Sequence, residues 1–333
     1  MITARTPAAV LCGVGGYVPP KVVTNDDLAA RLDTSDEWIR SRVGIHQRHV
    51  VEPGTATSDL AVRAAEAALQ SAGTRDIDVV VLATTTPDHP CPATAPTVAQ
   101  RLGLGCVPAF DVSAVCSGFV YGLAVTAGMI ASGLARHVLL IGAEAYTTIL
   151  DPYDRATVSV FGDGAGAVVV RAGEPGELGA VQAFDLGSDG GLAELIMTKG
   201  GGARHPRPDA ADSWFAMQGQ AVYRHAVRRM VGSSRAVLDA VGWKPQDVDR
   251  FVGHQANRRI LDAVARELEV APESAVINID RVGNTAGASI PLALADAVAT
   301  GELLAGDKVL LTAFGGGATW GSSALTWPAL RAA

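Results

Sequence analysis

This sequence is short of several things, and each shortage narrows what the chain can be. Its 333 residues include only four cysteines, Cys12, Cys91, Cys106 and Cys116. None stands in a C-x2-4-C pair, so no zinc site is expected, and with no secretory-type leader they read as reduced thiols of a cytoplasmic protein. Seven histidines are scattered without an H-E-x-x-H motif or a ligand cluster, so no catalytic metal is expected. Charge is sparse at 18% of residues, and the net value of −7 argues against a binder of duplex nucleic acid. Long apolar runs are missing as well. The opening MITARTPAAVLCGVGGYVPP breaks between Gly13 and Pro20, too soon for a signal-peptide core or a membrane span. What is plentiful is hydrophobic residues, at 48%, which implies a large buried core in one big domain or two fused halves.

The two halves echo each other. AAEAALQSAGTRDIDVVVLATTT (64–86) and SSRAVLDAVGWKPQDVDRFVGHQ (233–255) both read as helix, glycine stop, acidic turn and buried strand. Asp76 and Asp247 lie 171 residues apart, as do Val138 in HVLLIGAEA and Val309 in KVLLTAFGG, while Gly133 and Gly301 lie 168 apart. Helices alternating with β-branched apolar runs indicate sheets covered by helices on both faces. The expectation is two similar α/β halves, 1–173 and 174–333, with a seam at RAGEPGELGA (171–180). The 168-residue spacing matches Cys116 to Asn284, each opening the equivalent helix of its half.

Four stretches carry candidate chemistry. In DVSAVCSGFVYGL, Cys116 follows a strand and sits at the start of a helix, where the dipole and free amides favour thiolate. By position alone it reads equally well as a buried structural thiol. His254, in VDRFVGHQANRRI, lies between a strand and a helix starting near Asn257, at the sheet edge where ligands bind. An isolated histidine is more often an ordinary core or surface residue. Asn284 in VGNTAGASIP is a candidate donor, though Asn in turns and caps is the commoner use. AFGGGATWG (313–321) places three glycines after a strand, so a backbone amide can approach a ligand there, or the loop is simply flexible.

Together, AVCSGF, FGDGAGA, GHQAN, GNTAGAS and FGGGATWG occur in the order and spacing of β-ketoacyl-acyl carrier protein synthase III, a thiolase-superfamily condensing enzyme. The opening CGVGGYVPPKVVTNDDL and SDEWIRSRVGI are also similar to that family, so the resemblance spans nearly the whole chain. It implies a duplicated five-layer α/β/α/β/α thiolase-like fold. It also implies that Cys116 is the acylated nucleophile, that His254 and Asn284 serve decarboxylative condensation, and that the amides of Cys116 and Gly316 form the oxyanion hole. Trp38, Arg42, Arg155 and Asn257 match CoA-binding positions, and Thr34-x-x-Glu37 looks like the capping box of the helix that carries the first two. Gln220 stands where the family more often has Asn.

The resemblance further implies acyl-CoA and malonyl-acyl carrier protein as substrates, with no separate cofactor, and a homodimer. Arg224, Arg228, Arg235, Arg258, Arg259 and Arg266 form a basic patch suited to an acidic carrier protein, with Arg224 and Arg259 as docking residues. Cys91 and Phe119 are expected at the primer pocket. Cys91, where a larger residue from the partner subunit is common, should deepen that pocket for branched or longer primers. A thiolase would need a second cysteine near FGGGATWG, and an elongating synthase would carry His in place of Asn284. The alternatives are an acyltransferase without condensation and a non-catalytic carrier-binding protein. The sequence does not separate fatty acid from polyketide initiation.

Overall fold

Val79–Ala83 is five consecutive buried residues, and only a sheet covered on both faces accommodates such a strand. The computed structural model, which describes residues 6–209 and 211–331, is built from runs of this kind. In chain order the principal elements are β1 (Ala8–Tyr17), α1 (Asp36–Val43), α2 (Thr57–Ala72), β2 (Val79–Ala83), β3 (Ala109–Val112), α3 (Gly118–Ala131), β4 (His137–Glu144) and β5 (Gly164–Gly173). A second series follows: β6 (Val181–Ser188), α4 (Gly219–Val241), β7 (Arg250–Gly253), α5 (Arg258–Leu268), α6 (Ser289–Ala299), β8 (Lys308–Gly315) and β9 (Thr319–Thr326).

The first sheet runs β1-β5-β4-β2-β3 and the second β6-β9-β8-β7. A parallel bridge from Phe251 to Ala275 extends the second sheet at the place β3 takes in the first. In each sheet the first two pairings of this order are antiparallel and the rest parallel. Between the sheets lie α3 and α6, whose Phe119, Leu123, Ile290 and Leu294 share one buried cluster with Val81, Leu140, Leu311 and Ala313. Helix α3 carries no charged residue and buries Phe119, Val120, Leu123 and Ile130 between the sheets. Alternate strand residues such as Val80 and Leu139 face outward onto α2, and Phe251 and Leu310 face outward onto α4 and α5. The result is five layers, α/β/α/β/α. No described helix is long and apolar enough to cross a membrane.

The repeat is in register at the site. The 3-10 turns 115–117 and 286–288, the starts of α3 and α6 at 118 and 289, and the eight-residue strands β4 and β8 from 137 and 308 are each 171 apart. The residue matching Cys116 is therefore Gly287, and Asn284 sits three residues earlier, on the approach to the turn. The 168-residue spacing belongs to the helices' far ends, because α6 has 11 residues and α3 has 14. Val115 (φ 49°) and Ala286 (φ 45°) both enter their turns through left-handed backbone, a strained state uncommon outside glycine.

Candidate active site

Strand β3 delivers the chain to the turn 115–117, and Cys116 stands there one step before α3, only 7% exposed. Burial pushes its thiol well above the ordinary range, nearby Glu144 adds to that, and the cysteine's own backbone amide opposes them. Desolvation thus outweighs the helix terminus, contrary to the thiolate expected from position alone. The resting group is a thiol.

The end of β8 comes close enough to touch this turn because Gly315 has no side chain. A Cβ there would lie 2.7 Å from the Cys116 nitrogen. Thr319 fastens the same contact, its Oγ1 2.6 Å from Ser117 Oγ and donating to the Ala114 carbonyl at 3.1 Å. Gly316 packs against Val115, where its Cβ would meet the valine Cγ2 at 3.1 Å.

His254 caps the end of β7, and its backbone N–H donates to Thr312 O at 2.8 Å. Its ring Nδ1 lies 2.6 Å from Ser289 Oγ, the first residue of α6. That oxygen also accepts the Gln255 N–H at 3.3 Å, which leaves the serine hydrogen free to be donated to Nδ1, the arrangement in which the imidazole carries its proton on Nε2. Burial pushes the imidazole down to about 3, so the ring is neutral and offers one N–H. Asn284 is fixed by its Oδ1, which accepts from Ala286 N at 2.9 Å, and by its backbone, whose N–H donates to Val160 O at 2.9 Å. Its Nδ2 hydrogens remain available.

Cys116, His254 and Asn284 line one nearly closed cavity of about 30 Å³, walled by Tyr146, Phe161 and Phe215. Phe161 stacks on Tyr146 at 4.6 Å, and Phe215 meets both rings edge-on at 5.2 Å. Met217, Val222 and Ile260 are shared with an open cleft of about 540 Å³, so the small cavity is the inner end of a tunnel. Trp38, Arg42, Asn257, Arg224, Arg259 and Gln220 line that cleft. Arg155 holds its guanidinium 5.2 Å over the Trp38 ring, beside the cleft. Asn257 caps α5 by accepting from Arg259 N at 2.8 Å and donates its amide to the Arg42 carbonyl at 3.3 Å.

Two expectations need correction. Phe119 points into the central core between the sheets and does not line the Cys116 cavity. The cap of α1 is Ser35, which accepts from Trp38 N at 3.1 Å, while Thr34 Oγ1 is buried without a partner among the described residues. Cys91, expected at the pocket of the partner subunit, is exposed on the single chain. Sequence reasoning also missed Ser289 and Tyr146. Ser289 carried a signal, since a serine opening the helix after GNTAGA stands where its hydroxyl reaches the sheet edge. Tyr146 carried none, because the rings that hold it come from distant segments.

Residues 110–190 match the family 3-oxoacyl-[acyl-carrier-protein (ACP)] synthase III, and residues 238–327 match its C-terminal family. The chain is 59% identical over 329 residues to beta-ketoacyl-[acyl-carrier-protein] synthase III 5 of Streptomyces coelicolor, covering 98% of this chain and 99% of that one. The crystal structure of 3-oxoacyl-(acyl carrier protein) synthase III from Pseudomonas aeruginosa is 54% identical with a TM-score of 0.92, covering 97% and 99% of the two chains. The priming β-ketosynthase of the R1128 polyketide pathway is 32% identical, also at 0.92, covering 99% of each chain. With its thiolase fold, the chain belongs to the β-ketoacyl-acyl carrier protein synthase III family of acyl-transferring condensing enzymes.

Proposed function

We propose that this enzyme starts acyl chains by loading an acyl group from acyl-CoA onto Cys116 and condensing it with malonyl-acyl carrier protein. The observation that carries this reading is the meeting of Cys116, His254 and Asn284 in one small cavity at the end of a tunnel. In the first step the Cys116 sulfur–acyl bond forms as the CoA sulfur–acyl bond breaks, and the thiol proton leaves with CoA. The glycine-bordered amides of Cys116 and Gly316 are the donors suited to the tetrahedral oxyanion, each worth about 10²–10³ in rate.

In the second step malonyl loses CO₂, and its bonding electron pair becomes an enolate. His254 Nε2–H and Asn284 Nδ2–H give that oxygen two neutral donors, which a protein can bury more cheaply than a charged group. The enolate carbon then attacks the acyl carbonyl. A carbon–carbon bond forms, the Cys116–acyl bond breaks, and the thiolate takes a proton from water. CoA and the phosphopantetheine arm are substrates here, and the chemistry needs no further cofactor.

Trp38, Arg42, Arg155 and Asn257 would hold CoA along the cleft, by ring stacking and cation contact. The cavity beside Cys116 has room for about two waters, so a branched or longer primer needs a wall to move. The reading for such primers rests on Cys91 meeting that wall in a homodimer. Incubation of acyl-CoA with malonyl-acyl carrier protein, following CO₂ and β-ketoacyl product, tests the whole scheme. His254→Ala and Asn284→Ala should each still acquire the acyl mass on Cys116 while condensation falls about 10²-fold or more. Acyl transfer without CO₂ release in the parent enzyme would leave the acyltransferase reading instead.

A further inference from the structure

Apart from the three reactive side chains, Tyr146 is the one residue lining the cavity around Cys116 whose side chain carries a polar group, a hydroxyl packed out of contact with water. Tyr146 is 0% exposed, and its hydroxyl has no hydrogen-bond partner among the described residues. Such a group costs about 1–3 kcal/mol relative to a satisfied one, and phenylalanine would fill the same space without it. The ring cannot swing away to find a partner. It is stacked on Phe161 at 4.6 Å and met edge-on by Phe215 at 5.2 Å. The next residue, Thr147, is pinned by its backbone N–H donating to Asp163 at 2.8 Å. A hydroxyl held this firmly, unpaired, beside the nucleophile is a donor awaiting an acceptor.

Building on the function proposed above, we infer that Tyr146 selects the primer, by donating a hydrogen bond to a neutral oxygen within the acyl chain, as in an ether, ketone or ester. A carboxylate is excluded because no lysine or arginine lines the cavity to neutralise it. Burial keeps the phenol protonated, so it remains a donor throughout the working pH range. A site whose buried donor meets an acceptor discriminates against the primer that lacks one, since that primer leaves the donor orphaned.

The test compares methoxyacetyl-CoA with butyryl-CoA, which have the same shape and differ by an ether oxygen in place of a methylene. Both make the same demand on cavity volume, so the ratio of their loading rates isolates the oxygen. The readout is the rate at which each acyl mass appears on Cys116. The parent enzyme should favour methoxyacetyl, and Tyr146→Phe should lower that ratio by about tenfold. The variant keeps the ring stack, and its melting temperature should not fall, because no protein hydrogen bond is lost. An unchanged ratio overturns the inference, including the case where both rates fall together, which would mean the hydroxyl serves the thioester oxygen of every primer. If neither primer labels Cys116 in the parent enzyme, the proposed acyl-enzyme itself is lost.

Discussion

Ser289 is the hydrogen-bond partner of His254 Nδ1. Its hydroxyl accepts the Gln255 N–H and lies 2.6 Å from Nδ1, and by donating its own hydrogen there it favours the tautomer with the proton on the other ring nitrogen. Ser289→Ala removes that preference and lets the neutral ring adopt either tautomer. Only the tautomer protonated on Nε2 serves the enolate, so condensation should fall about tenfold or more while acylation of Cys116 changes far less. Single-turnover acylation measured beside CO₂ release separates the two steps, and equal losses in both would show that Ser289 merely supports the fold. The reactive residues were legible because each stands in a short motif whose neighbours are small or glycine. Their settings were not. The thiol's raised proton affinity and the histidine's lowered one come from burial, which depends on segments brought together only by folding.

Helices α4 and α5 carry the basic residues, and their geometry divides the patch in two. Arg224 and Arg259 line the mouth of the cleft itself, where a CoA nucleotide would also lie. Arg228 and Arg235 line a second groove of about 420 Å³ that begins at Arg224 and continues along α4 away from the mouth. Reversing Arg228 and Arg235 to glutamate should therefore raise KM for malonyl-acyl carrier protein several-fold, more at low salt, and leave acyl-CoA loading intact. The same change at Arg224 and Arg259 should harm both. Steady-state kinetics at two ionic strengths check this, and equal effects of the two pairs would collapse the division. Helical spacing in the sequence puts Arg224, Arg228 and Arg235 on one helical face. It could not show that only the Arg224 end of that face borders the tunnel, since that depends on how α4 packs against α5.

Across the whole molecule the duplication is strict in backbone and broken in chemistry. Gly287 stands where Cys116 does, and Glu144 at the end of β4 stands where Gly315 does at the end of β8. Against the turn that holds Cys116, a glycine from the other half leaves the amide of residue 116 uncovered. Against the matching turn at Gly287, a buried carboxylate from the half of Cys116 fills that place. Glu144 accepts from Thr85 N at 3.0 Å, from Thr86 Oγ1 at 2.8 Å and, across the halves, from Gly287 N at 3.4 Å. The 171-residue echo was readable from spacing, but this exchange was not, because it lies in what occupies each position and not in the interval.

Burial outweighs those donors and pushes Glu144 up to about 7 from 4.5. A carboxyl group raised in the folded state contributes stability that is present in full below pH 4.5 and lost as pH rises through 7. The amount is on the order of 3 kcal/mol. His254, lowered from 6.5 to about 3, acts in the opposite direction, its contribution present above pH 6.5 and lost as pH falls towards 3. Stability should therefore peak near pH 5–6 and decline toward pH 8. Glu144→Gln cannot ionise, so its melting temperature should rise with the His254 contribution up to about pH 6.5 and then level off to pH 8, while that of the parent peaks near pH 5–6 and falls. Taking the difference between the two proteins at each pH cancels His254, Asp163 and every other group they share. Parallel curves would show that the carboxyl at the centre of the molecule does not titrate in this range.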